Sequence, residues 1–311
     1  MSFLYSLITI VGIFTLLTLA LNLEFGEGGI INFGLVAFFA IGAFSYAILT
    51  QPPPTEFDQY VVGFDLPVGI AAVAAIGVSV VLAWLTSWPV LRLRAEYLAL
   101  AMFAFSQVLE SLLINVRTLT SGTEGLRGIA SPFDEFLPLA DYDFWFMVSV
   151  VLLVVVVYLL MARLHGSAFG DALRAGRDDE LAANALGKSI QGIRRQAFLL
   201  GAAVTALAGV MYASYLTVAT PGLFSAEVTF VAFIALVIGG LGRPFGAVLG
   251  AIVFFGLDEA LNQIPLSGTT ASLVLDGQVI VFGLVLILLL RFAPQGLAGL
   301  IARDRRKVPI T

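Results

Sequence analysis

Stretches of about 20 predominantly apolar residues recur along this chain, and an α-helix of that length is just long enough to cross a hydrocarbon core of about 30 Å. Nine such blocks stand at 3–22, 30–50, 66–88, 95–115, 143–162, 196–218, 226–241, 245–262 and 273–291. Each is continuously apolar rather than alternating with a period of two, which argues against a membrane β-barrel. Hydrophobic residues make up 59% of the chain and charged residues 12%, against about 25% charged in a soluble domain. Too little polar sequence remains to cover a water-facing surface. The expected fold is all-α: a polytopic transmembrane helix bundle of about nine spans, within a range of roughly eight to ten, in one domain over residues 1–311. The seventh block is short and runs into Gly239-Gly240, which predicts a broken or tilted helix.

The first block has no basic stretch before it and no clear small-residue cleavage site after it, so it reads as a retained helix rather than a signal peptide. There is no cysteine and a single histidine, His165, at the end of an apolar block. Thiolate metal sites, a bound catalytic zinc and a histidine relay are thereby disfavoured, and the chain reads as no enzyme. His165 is expected at the membrane interface.

Charge sets the orientation. The segment 163–195 carries Arg163, Arg174, Arg177, Lys188, Arg194 and Arg195, and the tail carries Arg291, Arg303, Arg305, Arg306 and Lys307. Both belong in the cytoplasm by the positive-inside rule. Four blocks separate them, an even number, so the two assignments agree. Arg243 and the pair Arg92 and Arg94 fall on the same side. The connections 51–65 and 116–142 fall outside and are net acidic. The expected location is the cell membrane, with a cytoplasmic C-terminus. Nine spans leave the N-terminus outside and ten leave it inside; the sequence leaves both open.

Four features stand out from the apolar background. The polar run RAGRDDELAANALGKSIQGIRRQ (174–196) contains Gly-Lys-Ser, the end of a phosphate-binding loop. That loop needs a glycine five residues before Gly187, where this chain has Ala182, so nucleotide binding is rejected. The run reads instead as a short water-exposed helix over 178–190. Asp178 and Asp179 sit at its start, Ala182, Ala183 and Ala185 give it a small surface, and Gly187 ends it. It is either a solvated loop obeying the charge rule or a helix that docks on another protein. The second feature, Gly239-Gly240-Leu-Gly242-Arg-Pro-Phe-Gly246-Ala-Val-Leu-Gly250, repeats glycine every four residues. Gly242, Gly246 and Gly250 would share a helix face, for close packing or for lining a translocation path. The third is Asn22-Leu-Glu24-Phe-Gly26-Glu27-Gly28-Gly29-Ile-Ile-Asn32-Phe-Gly34. Glycine-broken backbone at the membrane persists only when buried in protein or lining a wet cavity. Glu24 and Glu27 are expected near water, and Asn32 and Gly34 are candidates for packing or the path. The fourth is the external loop Thr120-Ser-Gly122-Thr-Glu124-Gly125-Leu-Arg127-Gly128-Ile129, whose three glycines at three-residue spacing predict ordered turns. That loop either meets an external partner or folds back over the path mouth.

With these residues in hand, the chain resembles the permease subunits of branched-chain amino acid ABC transporters, in particular the member whose external loop reads Thr-x-Gly-x-x-Gly-Leu-x-Gly-Ile. The resemblance rests on ALNLEFGEGGIINFGLVAFFAIGAF (20–44), RLRAEYLALAMFAFSQVL (92–109), LTSGTEGLRGI (119–129), the stretch 172–213, GGLGRPFGAVLGAI (239–252) and RFAPQGLAGL (291–300). It implies an ATP-driven importer with a second homologous permease subunit, two ATP-binding cassette ATPase subunits and an external substrate-binding protein. ATP and Mg would be bound by the partners, with no cofactor in this chain. It also implies that 163–195 holds the ATPase-coupling segment, with Asp179, Glu180, Ala182, Ala183 and Gly187 at the contact. The signature Glu-Ala-Ala-x-x-x-Gly of such importers is met here by Ala182-Ala183-Asn-Ala-Leu-Gly187, but Leu181 stands at the glutamate position and the glutamate is one residue earlier, Glu180. The implied substrate is a branched-chain, aliphatic amino acid; relatives in the superfamily carry urea or short amides. The rival class is a secondary transporter working without an ATPase. It needs intramembrane acids, of which the spans hold few.

Overall fold

Helix α1 (Ser2–Leu21) has no charged residue along its length. Its buried hydroxyls are each spent on a carbonyl one turn back, Thr9 on Tyr5, Thr15 on Val11 and Thr18 on Phe14. These three hydroxyls are thereby satisfied within the helix and need no partner from lipid. The structure, a computed structural model, describes residues 2–53, 62–132, 139–185, 187, 189–262 and 296–299. The ninth apolar block and the basic tail beyond 300 lie outside the described residues.

From α1 the chain passes without a break into a π-helical turn, Asn22–Glu27. It is non-helical from 29 to 32, and α2 (Leu35–Thr50) follows. Next come α3 (Val68–Val90), α4 (Ala95–Asn115) and the single turn α5 (Arg117–Thr120). A 3-10 turn (Gly122–Glu124) leads to the two-residue strand β1 (Leu126–Arg127). Then α6 (Leu139–His165), α7 (Ala168–Asp178), α8 (Glu180–Ala185) and α9 (Ile190–Leu216) run to strand β2 (Val218–Ala219). A second 3-10 turn (Pro221–Phe224), α10 (Ala226–Gly239) and α11 (Pro244–Asn262) complete the order. Among the described residues six helical stretches are long and apolar enough to cross a membrane, and α2 is an apolar helix shorter than a span.

The interior is built from α2 and α9. Both are apolar nearly all round, and helices of that kind are the buried ones. Phe38, Phe39 and Tyr46 of α2 and Phe198 and Ala202 of α9 are fully enclosed. The outer helices are patterned the other way. On α3 the small residues Ala71, Ala75, Ser79, Ala83 and Ser87 recur every four positions and are buried, while Ile70, Val73, Val81 and Trp84 point outward. The outward face of α6 carries Leu152, Val156, Leu159 and Leu160. Small residues inward and large apolar residues outward is the arrangement expected when the solvent is lipid.

The contacts fix the order of the ends. Tyr5 stacks edge-on against Phe144, and the Tyr215 hydroxyl donates to Ser6 Oγ at 2.8 Å. At the opposite end Glu27 meets His165. So α1 starts at the end where α6 begins and α9 finishes, away from the polar segment. The sequence left the side of the N-terminus open; the structure sets it opposite residues 163–195. Residues 296–299 return to the polar-segment end, where Arg243 Nη1 donates to Ala298 O at 3.5 Å.

Two expectations need correction. The helix expected over 178–190 is interrupted: α7 ends at Asp178 and α8 covers only Glu180–Ala185. The glycine stripe is also shorter than expected. Gly242 lies in the turn before α11 with φ +74°, so only Gly246 and Gly250 share a helix face.

Candidate functional site

Two glycine-rich turns and the polar segment converge at one end of the bundle. The polar segment begins where Ser167 caps α7, its Oγ accepting from Gly170 N at 3.5 Å. Asp179 leaves the helical conformation (φ −153°, ψ 101°) and its Oδ1 accepts from Ala182 N at 3.0 Å. It is therefore the cap of α8. Asp178 is not a cap: it ends α7 and pairs with Arg177 at 3.0 Å. Glu180 faces back to Arg194 of α9 at 2.5 Å, and Arg194 also donates to Gly176 O at 3.1 Å. Ala183 is buried, but Ala182 is exposed and Leu181 is 83% exposed. Gly187 has φ +78°, and a Cβ placed on it would meet nothing within 4 Å, so its requirement for glycine is conformational rather than steric. The result is one short helix, anchored on its inner side, that presents a leucine and small residues to solvent.

Against this segment lies the turn Asn22–Glu27. Glu24 is fully buried and Glu27 is 1% exposed, so neither sits near water as expected from the block boundaries. Glu27 meets two basic residues' side chains, the Arg174 guanidinium (Nη1) at 3.2 Å and the His165 imidazole (Nδ1) at 3.3 Å. Arg174 also donates to His165 O at 3.0 Å and pairs with Asp171 at 2.7 Å. Arg177 donates to Gly26 O. Gly29 has φ +65°, and a Cβ there would stand 2.8 Å from Arg177 Cγ. The backbone of Gly242 completes the joint, its N–H donating to Asn22 Oδ1 at 2.9 Å.

Deeper in, Asn32 Nδ2 donates to Glu24 Oε2 at 2.7 Å, and Asn32 Oδ1 accepts from Gly34 N at 3.0 Å. Asn32 thus ties the broken backbone before α2 to the turn after α1. Glu24 Oε1 has no hydrogen-bond partner among the described residues and lies directly over the backbone of Gly201. Gly34 lacks a side chain because a Cβ would stand 2.6 Å from Met102 O. Phe33, between them, packs on Phe230 and Phe233 of α10. Gly246 and Gly250 let α11 close on α10: their Cβ positions fall 2.8 Å from Gly239 O and 2.7 Å from Gly239 N.

At the other end Gly122, Gly125 and Gly128 all adopt positive φ. The loop folds back on the bundle: β1 pairs antiparallel with β2, Leu126 opposite Ala219 and Arg127 opposite Val218. Tyr46 donates to Ala130 O at 2.7 Å and Gln51 to Arg127 O at 2.6 Å. A cavity of about 650 Å³ opens among α1, α9, α10 and α11, lined by Phe14, Tyr212, Ile234, Phe254 and Glu227. None of the residues proposed for coupling, packing or the path lines it, but two of the few acids near the block ends, Asp258 and Glu259, do. The structure therefore brings Asn32 and Gly34 together with Glu24, and Gly242 with Asn22, but leaves Gly122, Gly125 and Gly128 at the far end. Sequence reasoning missed Arg174 and Arg177 as individual contacts. Their only signal as contacts was that they lie four and one residues before the acidic pair of the polar run, each next to a residue that α7 buries, Leu173 and Gly176.

A family model for the permease component of branched-chain amino acid transport systems matches residues 3–290. The chain belongs to that permease family. It is 30% identical to the high-affinity branched-chain amino acid transport system permease protein LivM of Escherichia coli, over 93% of this chain and 68% of that protein. A probable LivM of Methanocaldococcus jannaschii is 28% identical over 92% of this chain and 90% of its own length. The Escherichia coli permease protein LivH is 26% identical over 94% of this chain and 93% of its own length. No solved structure matches. The permease is thus a multi-pass membrane protein related to both LivM and LivH.

Proposed function

We propose that this permease is the membrane subunit of an ATP-driven importer of branched-chain, aliphatic amino acids. It pairs with a second homologous permease, takes two ATP-binding cassette ATPases at its polar-segment end, and receives substrate from an external binding protein. By the positive-inside rule the polar segment and C-terminus face the cytoplasm. The observation that carries the reading is α8, an anchored helix with Leu181 83% exposed. An exposed leucine among small residues on a short helix suits a groove in another protein. Two polar contacts hold this helix to α9, Glu180 to Arg194 and Asn184 Oδ1 accepting from Ile190 N, and Arg194 reaches on to Gly176 O of α7. A helix fixed on its inner side can pass a push from its outer side into the bundle. ATP and Mg belong to the partners in this reading, and alternating access follows if the bundle has two packed states. The relatives named for branched-chain amino acid transport support the substrate class.

Co-expression with an ATP-binding cassette ATPase from the same genome tests the reading. The two should co-purify, and Leu181→Asp should abolish this while the permease still inserts. Uptake of radiolabelled leucine against urea, with the cognate binding protein, tests the substrate. ATP-dependent uptake of urea but not leucine would overturn the amino acid assignment. Leucine uptake without any ATPase would overturn the ABC assignment.

A further inference from the structure

We infer that Glu27 and Arg174 are positioning residues, forming with Arg177 the joint through which movement of α8 reaches the membrane-interior segment 22–34. The inference rests on the transporter reading above and names where in this chain the coupling passes. Four observations support it. First, α8 touches the bundle through α7 and α9, and Arg194 ties Glu180 to the Gly176 carbonyl of α7. A displacement of α8 therefore loads α7. Second, α7 grips the end of the first span by side chains on one face: Arg174 on the Glu27 carboxylate, Arg177 on the Gly26 carbonyl, and Leu173 against Gly28. Arg177 thereby sits at the C-terminal end of the first span, where a helix leaves acceptors open and favours a cation.

Third, what α7 grips is a π-helical turn. Gly28 N to Leu23 O at 3.2 Å is its last five-residue bond, after which the spacing changes, with Gly29 N to Phe25 O at 3.1 Å spanning four residues and Ile30 N to Glu24 O at 2.9 Å spanning six. A π turn holds one residue more than an α turn, so changing from one to the other shifts the following chain by about 1.5 Å along the axis. Shifts of about 1–2 Å are the size of helix movement seen in switching proteins. Fourth, the chain after the turn is tied to the interior: Asn32 bonds Glu24 and the N–H of Gly34, and Val36 N donates to Thr229 of α10. A shift of the turn is therefore felt at the start of α2 and on α10, and not only locally.

The test uses the assembled transporter, with its ATPases and binding protein, in proteoliposomes. Glu27→Gln and Arg174→Gln are measured for leucine imported and for ATP hydrolysed. The expected result is that ATP hydrolysis stays within about twofold of wild type while leucine imported per ATP falls roughly 5- to 150-fold, the span of ordinary coupling free energies. The exchange Glu27→Arg with Arg174→Glu should restore much of the loss. Asp171→Asn, which removes only the exposed partner of Arg174, should change neither quantity. Loss of uptake and hydrolysis in the same proportion, tracking the amount of assembled complex, would mean that the pair only holds the fold and would overturn the inference. So would wild-type coupling in both single variants. Absence of ATP-dependent leucine uptake in the wild-type complex would instead refute the transporter reading itself.

Discussion

Alanine at Gly42 and alanine at Gly77 should move stability in opposite directions. Both glycines sit inside apolar helices, α2 and α3, and helix propensity alone favours alanine at either by about 1 kcal/mol. At Gly77 a Cβ meets nothing within 4 Å, so the gain stands. At Gly42 a Cβ falls 2.6 Å from Ala206 Cα and 2.8 Å from its carbonyl carbon, and nearer still to its oxygen. Non-bonded carbons pack at about 3.5–4.0 Å, so α2 and α9 would have to part by roughly 1 Å, which forfeits about a quarter to a half of each contact across the gap. Overpacking costs about 1–3 kcal/mol. Backbone atoms cannot rotate away, so the upper end applies, leaving a net loss of about 2 kcal/mol after the propensity gain. The assay is unfolding of each purified variant in mixed micelles titrated with sodium dodecyl sulfate. Gly42→Ala should lower the folding equilibrium about 30-fold, and Gly77→Ala should raise it. A Gly42→Ala protein as stable as Gly77→Ala would refute the close approach of α2 and α9.

Further predictions follow from the same geometry. Asn32→Ala strips the partner from Glu24 Oε2 and from Gly34 N, and should cost about 1–3 kcal/mol or more in the same titration. At Gly187, Asn should be tolerated and Val should not, because the position needs φ +78° and a left-handed backbone costs most L residues about 1–2 kcal/mol. ATPase co-purification of the two variants reads the difference, and equal loss in both would show that bulk rather than backbone matters. Gly125→Ala would set a Cβ 2.7 Å from Thr220 Cα. It should open the β1–β2 pair and speed tryptic cleavage after Arg127, measured by gel in sealed vesicles of known orientation.

The block pattern was enough to determine that this chain is a helical membrane protein. A run of about 20 apolar residues has few other stable forms in water or lipid. Eight of the nine blocks appear as helices among the described residues, and the ninth lies outside them. Segment identity was also legible at local points where chemistry is one-dimensional: Gly187 as a glycine past a helix end, Asp179 (though not Asp178) as a helix cap, and the three loop glycines as turns. Each depends on the residue and its immediate neighbours.

What the tertiary structure alone decided depends on residues far apart in the chain. Glu24 and Glu27 read as acids close to a span end, and nothing in their spacing shows that one is enclosed with Asn32 while the other meets Arg174, 147 residues away. Gly242 read as part of a glycine stripe, but its N–H is held by Asn22 and its backbone turns with φ +74°. The small-residue face of α3 has the same composition as any membrane helix until α2 and α9 are laid against it. In a chain this apolar nearly every face is compatible with lipid, so hydrophobic pattern distinguishes inside from outside only weakly. Close backbone approach and the few polar pairs make that choice, and both are properties of the packed bundle rather than of any segment.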